Sequence, residues 1–174
     1  MKEDIQEIYM SKKVDNKIVK LQTIKTGAGV VDFRHVYKNP IPKDERIKIK
    51  SSADCFKYLQ GVYNPDELEL RESFYAVYLN RQNEVLGSYL IGVGSVAACV
   101  VPIAAVVRGA LLCNASGVIL SHNHPSGQLL PSENDNTTTK NIKKALQICE
   151  INLLDHIIVG GSGSYYSFTD EGIL

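Results

Sequence analysis

The apolar and polar positions alternate most legibly from residue 73 onward. Phe74-Tyr75-Ala76-Val77-Tyr78-Leu79 is β-branched and aromatic, Asn80-Arg81-Gln82-Asn83 is turn-like, and Glu84 to Ile91 returns, which together predict a β-hairpin. The uncharged run Leu90 to Val107 is broken by Gly92, Gly94, Ser95 and Pro102. It reads as a strand end, a loop and the start of a buried helix rather than a membrane span. Pro102 suits a first helical turn, and Ile103, Val106, Val107, Ala110 and Leu111 follow at helical spacing up to about Asn114. Gly117-Val118-Ile119-Leu120 is a short apolar run, expected as a buried strand that ends at a histidine pair. A helix is expected from Ser132 to about Cys149, with Ile142, Leu146 and Ile148 among its inner residues. Leu153 to Val159 predicts another buried strand, Gly160 to Gly163 a turn, and Tyr165 to Phe168 a last strand. Strands and helices alternating around one core indicate an α/β domain of three layers with a mixed sheet.

The first 50 residues have a different texture. Short apolar groups (Ile18-Val19, Val30-Val31, Ile47) alternate with lysines, glycines and the breaker Asn39-Pro40-Ile41-Pro42. They predict one or two short strands or an extended arm, so residues 1–50 are expected to form an extension and residues 51–174 the main packed domain. Ile47 to Ile49 is a candidate strand, Ser51-Ser52-Ala53-Asp54 offers caps for a helix over about Ala53 to Gln60, and Asn64-Pro65-Asp66 is a turn.

A chain of 174 residues, 44% hydrophobic and 22% charged, fits one soluble globular domain and falls short of a (β/α)8 barrel, which takes about 250 residues. Net charge is zero, yet residues 1–50 carry twelve Lys/Arg against seven Asp/Glu and sit at +5, leaving −5 for the remainder. A basic arm of this size offers weak support for contact with nucleic acid, and a solvated face is the plainer reading. Cys55, Cys99, Cys113 and Cys149 are scattered without a Cys-x-x-Cys, as expected for reduced thiols of a cytoplasmic protein. The acidic and basic N-terminus has no apolar run behind it, so no secretory signal is expected.

The candidate chemistry lies in Ser121-His122-Asn123-His124-Pro125-Ser126-Gly127, followed by Pro131-Ser132-Glu133-Asn134-Asp135. Two histidines at i and i+2 on extended backbone point to the same side, so one metal ion can meet both rings. Asp135, returned by a loop rich in Gly, Pro and Ser, is a candidate third ligand. Three N/O ligands and an open position suit a catalytic zinc better than a structural one. Each piece also has an ordinary explanation: His-x-His alone is more often structural, and Ser132-x-x-Asp135 after a proline is a good helix cap. Other metal-hydrolase patterns do not fit, since there is no His-Glu-x-x-His and no deaminase His-x-Glu with Pro-Cys-x-x-Cys. A water activated by such a metal needs a carboxylate to collect its proton. Glu67, Glu69, Glu72 and Glu84 are candidates, and Glu72 is preferred because it stands at the lip of the Phe74 to Leu79 strand.

His122-x-His124, seven residues, Ser132, two residues and Asp135, with a glutamate upstream, resemble the JAMM motif of the MPN+ metalloprotease superfamily. The wider wording is similar to its RadC-like bacterial branch: Arg71-Glu72-Ser73-Phe74, the His-Asn-His-Pro-Ser-Gly run, Pro131-Ser132, Asp135 and Asp155-His156-Ile157-Ile158-Val159. The likeness is strong over residues 66–174 and weak over 45–65. It implies the cytidine-deaminase-like, JAMM-type three-layer fold, zinc held by His122, His124 and Asp135, Glu72 as general acid/base, and Ser132 hydrogen-bonding the tetrahedral oxyanion. A peptide or isopeptide bond in a peptide or protein substrate is the implied target. The family's association with DNA repair implies the alternative, a nucleic-acid-associated accessory protein with an idle or structural metal site; a third reading is a module that grips a peptide along a sheet edge without cutting it. Longer RadC-like proteins carry a helix-hairpin-helix module ahead of this domain, and residues 1–50 show no glycine-punctuated helical pair. The loop before the first long helix usually reads Pro-Arg in relatives, where this chain has Pro102-Ile103. His156 is expected to be a core histidine with satisfied nitrogens, the alternative being support of a zinc ligand.

Overall fold

The structure, a computed structural model, describes residues 42–94, 101–161 and 163–174, together with the backbone of residues 18–25 and 31–38. Two antiparallel strands, β1 (Ile18–Lys25) and β2 (Val31–Lys38), pair from Ile18 opposite Lys38 to Lys25 opposite Val31. This is the two-strand outcome of the pattern in the first 50 residues. Val30, Asn39 to Ile41, residues 95–100 with Cys99, and Ser162 lie outside the described residues.

The second sheet has five strands in the order β4-β3-β5-β6-β7. They are β3 (Ser73–Leu79), β4 (Val85–Val93), β5 (Gly117–Asn123), β6 (Asn152–Val159) and β7 (Tyr165–Ser167). β5 and β6 run parallel and every other pair is antiparallel, so the sheet is mixed. Among the described residues three α-helices complete the domain: α1 (Ser52–Leu59), α2 (Ile103–Leu112) and α3 (Glu133–Ile148). α3 is the crossover that a parallel β5–β6 pair requires.

Strand periodicity sorts the core into two faces. Phe74, Ala76 and Tyr78 of β3 with Val118 and Leu120 of β5 meet Val106 and Ala110 of α2 and Ile142 and Leu146 of α3. Val77, Leu79, Ile119, Ile157 and Val159 point the other way, onto Cys55, Tyr58 and Leu59 of α1. The result is helix, sheet, helices: three layers. β5 is buried at all seven positions, which is why its first four residues, Gly117 to Leu120, are an unbroken apolar run rather than an alternation. His122 continues the Val118, Leu120 series and therefore emerges on the α2/α3 face.

Two expected inner residues are outside. Leu111 is 52% exposed and Ile148 85% exposed. At about 100° per residue, Ile148 stands some 200° round from buried Leu146, and Leu111 about 140° from buried Val106, so neither falls on its helix's inward stripe. Ile47 to Ile49 does not form a strand of its own; Lys48 bridges Glu84 in isolation, while Ile47 and Ile49 bond the backbone of Val85 and Asn83. Among the described residues no helix is long and apolar enough to cross a membrane. Cys55 and Cys149 are free thiols.

Candidate metal centre

His122 lies near the end of β5, His124 just beyond it, and both rings turn to the same side. Phe74, directly opposite His122 in the β3–β5 register, stacks nearly parallel to its ring at 5.9 Å between centroids. After His124 the chain turns at once: Gly127 donates its N–H to the His124 carbonyl and has φ of 75°, a left-handed conformation that favours glycine. That turn brings the Gln128 carbonyl to 2.6 Å from His124 Nδ1. A carbonyl only accepts, so Nδ1 carries the hydrogen and Nε2 is left to face the site.

Asp135 arrives by way of the helix cap. The Ser132 hydroxyl accepts the Asp135 N–H at 3.1 Å, and Asp135 Oδ2 accepts the Ser132 N–H at 2.7 Å and its O–H at 2.6 Å. The capping box and the ligand reading thus coincide: the box pins the carboxylate at the first turn of α3, aimed at the histidines. His122 Nε2 is 3.4 Å from Asp135 Oδ1, His124 Nε2 is 3.6 Å from Asp135 Oδ2, and the two Nε2 atoms are 2.9 Å apart. With zinc bonds of about 2.0–2.1 Å, the edge of a tetrahedron is about 3.4 Å, and these three separations bracket it. His122, His124 and Asp135 form the one group of three or more potential ligands found among the described residues. The donor set fits a zinc ion.

The electrostatics agree with three groups sharing one place. Burial alone would raise the Asp135 carboxyl, but the neighbouring His122 and His124 rings and the hydrogen bonds from Ser132 outweigh it and hold it well below the usual carboxylate range. The hydrogen bond to Asp135 raises His124, with burial opposing and the Gln128 carbonyl assisting. A proton shared between these groups occupies the position a metal would take.

Glu72 immediately precedes β3, and its carbonyl accepts the Gly94 N–H at 2.8 Å. Burial raises its carboxyl above the ordinary glutamate range; the charge of His122 lowers it, Asp135 raises it and His124 lowers it. The other upstream carboxylates are differently placed. Glu67 pairs with Arg71 at 2.7 Å, Glu84 with Arg46 at 3.0 Å, and Glu69 is exposed. Ser132 is at the site, but its one hydroxyl hydrogen is given to Asp135.

Two residues the sequence did not single out hold this arrangement in place. Asn123, between the histidines and 1% exposed, accepts the Ser73 N–H at 2.8 Å and donates to the carbonyls of Leu68 and Arg71 at 2.7 and 2.9 Å, clamping the segment that carries Glu72. Thr139, one turn after Asp135 on the buried face of α3, donates to the Asp135 carbonyl at 2.6 Å and contacts His156 Nδ1 at 2.7 Å. His156 is fully buried, and its Nε2 lies 2.8 Å from His122 Nδ1. It has both nitrogens satisfied, as expected of a core histidine, and one of its two partners is a candidate ligand. Burial, and then the charge of His122, keep its pKa well below the ordinary histidine value, against the pull of Asp135.

A profile of the family described as "RadC-like JAB domain" matches residues 49–173. The chain belongs to the RadC-like JAB domain family. It is 41% identical over 126 residues to a "UPF0758 protein" of Flavobacterium johnsoniae, an alignment covering 72% of this chain and 53% of that one. It is also 44% identical over 104 residues to "UPF0758 protein YfjY" of Escherichia coli K12 (60% and 64%) and 34% identical over 129 residues to a "UPF0758 protein" of Aquifex aeolicus (74% and 54%). The chain thus spans between about half and just under two thirds of the length of these curated relatives. The three-layer architecture expected from the sequence is present in this domain, with His122 near the end of its central strand and Asp135 in the first turn of α3.

Proposed function

We propose that this RadC-like JAB domain is a zinc-dependent hydrolase of the JAMM type that cleaves a peptide or isopeptide bond. The observation that carries the reading is the convergence of His122 Nε2, His124 Nε2 and the Asp135 carboxylate, with the far nitrogens of both rings already engaged. A zinc ion bound there supplies a Lewis acid for the scissile carbonyl and acidifies a water. The protein's own residues do the rest. Glu72, whose carboxyl burial raises above the ordinary glutamate range, would accept a proton from an attacking water and return it to the leaving amine. Ser132 first serves the cap; its hydroxyl donates to a developing oxyanion when it turns from Asp135, whose Oδ2 stays held by the Ser132 N–H.

The test is zinc content by mass spectrometry beside cleavage of a quenched-fluorescence peptide library and of isopeptide-linked protein pairs. Stoichiometric zinc lost in Asp135→Ala, with hydrolysis lost in Glu72→Gln while zinc is retained, is the expected outcome. Zinc loading indifferent to Asp135→Ala would refute it. A second reading, an accessory protein bound to nucleic acid, rests on the +5 charge of residues 1–50. Its signature is DNA binding that weakens steeply with salt, with a slope set by the phosphates neutralised.

A further inference from the structure

A metal ligand must offer a lone pair, and a neutral imidazole has only one. Which nitrogen of His122 offers it is decided some distance away. Thr139 Oγ1 lies 2.6 Å from the Asp135 carbonyl oxygen, which has no hydrogen, so the hydroxyl hydrogen points there. The same hydroxyl is 2.7 Å from His156 Nδ1 and, having spent its hydrogen, can only accept. His156 Nδ1 therefore carries the ring hydrogen. Its Nε2 then holds the lone pair, 2.8 Å from His122 Nδ1, which must donate.

We propose that Thr139 and His156 form a directional hydrogen-bond relay, anchored on the Asp135 backbone carbonyl, that locks His122 in its Nδ1–H tautomer and leaves Nε2 free for a metal. The relay rests on the reading of His122 as a ligand. It ties two ligands together as well, because the carbonyl that sets its direction belongs to Asp135, whose carboxylate is the third donor. Packing prevents the rings from turning out of line: Phe168 stacks on His156 at 4.6 Å, and Phe74 meets His156 edge-on at 5.5 Å while stacking on His122. Thr139 and His156 are positioning residues, since neither reaches the metal position. Metal-bound histidines depend on such partners for tautomer and orientation, and losing one costs about 10–100-fold in affinity.

The experiment compares wild type, Thr139→Ser and Thr139→Val. Long-range 1H–15N correlation spectra of the zinc-free 15N-labelled protein read the tautomers, and a chromophoric chelator reads zinc affinity by competition. Wild type and Thr139→Ser should show His122 and His156 as Nδ1–H. Thr139→Val removes the acceptor, frees His156 to take the Nε2–H form, and should shift His122 towards Nε2–H with a loss of about 10–100-fold in zinc affinity. Retention of the wild-type tautomer and affinity in Thr139→Val overturns the relay. Should that variant fail to fold, wild type alone decides: His122 found as Nε2–H overturns it, and Nδ1–H on both rings supports it. Wild type that shows both Nδ1–H forms yet binds no zinc would refute the metal reading and leave the relay standing.

Discussion

Replacing Asn123 with alanine separates the scaffold of the site from its ligands. Its side chain is buried, and among the described residues it is the only hydrogen-bond link between the strand carrying His122 and the carbonyls of Leu68 and Arg71. The substitution strips an acceptor from the buried Ser73 N–H and donors from those two carbonyls. Leaving one buried N–H unpaired costs about 1–3 kcal/mol, and the two carbonyls, on partly exposed residues that water can reach, add about 1 kcal/mol each. A loss of about 3–5 kcal/mol is expected, equivalent to a fall in Tm of roughly 10 °C for a chain of this size. Urea unfolding of the zinc-free protein measures it directly. Because the lost bonds hold residues 68–73 and not the histidine rings, zinc affinity should stay within about threefold of wild type. Hydrolysis, which needs Glu72 in register, should fall about 100-fold, as expected for a displacement of about 1 Å. Unfolding within 1 kcal/mol of wild type, or zinc affinity and hydrolysis falling in parallel, would refute this role for Asn123.

Zinc affinity should depend on pH through His124. Folding raises its pKa, so the zinc-free protein gains stability from that proton at low pH and loses it as pH rises through the folded value; zinc competes for the same nitrogen. Affinity measured by competition should rise with pH up to that value and level off above it, and an affinity that falls with rising pH between 5 and 7 would contradict the assignment. Cys55 is buried, and burial, followed by the charges of Asp155 and Asp54, pushes its thiol up to about 12, so site-resolved mass spectrometry should find it unlabelled by iodoacetamide in native protein while Cys113 and Cys149 react. Gly109→Ala should destabilise the domain by about 1–3 kcal/mol in urea unfolding, because its new methyl would overlap the Tyr78 ring, which lies against α2 with its hydroxyl donating to the Val106 carbonyl; a neutral effect would mean that the ring moves freely.

What the sequence revealed and what it hid have the same physical origin, the range of the interactions involved. The pair His122 and His124 was legible because a strand repeats every two residues, and Asp135 because Ser132 caps a helix at a fixed offset; both are local rules. The strands and helices around them followed from local periodicity too. Ile148 and Leu111 were misplaced because apolarity was followed past the angle at which each helix turns its stripe to solvent. Thr139 was in principle readable as a polar residue on the inward stripe Asp135, Thr139, Ile142, Leu146, since such a position demands a partner. The partner itself was not readable. His156 reaches His122 only through the parallel β5–β6 register, in which Leu120 lies opposite His156, and Asn123 finds Leu68, Arg71 and Ser73 across 50 to 55 residues of chain.

Anomalous scattering at the zinc edge, from crystals of the zinc-loaded protein, addresses the site itself. The result expected is a single peak about 2.0–2.2 Å from His122 Nε2, His124 Nε2 and a carboxylate oxygen of Asp135, with a solvent oxygen completing a tetrahedron. A peak held by other residues, or one that leaves Asp135 turned away towards Ser132 alone, would contradict it.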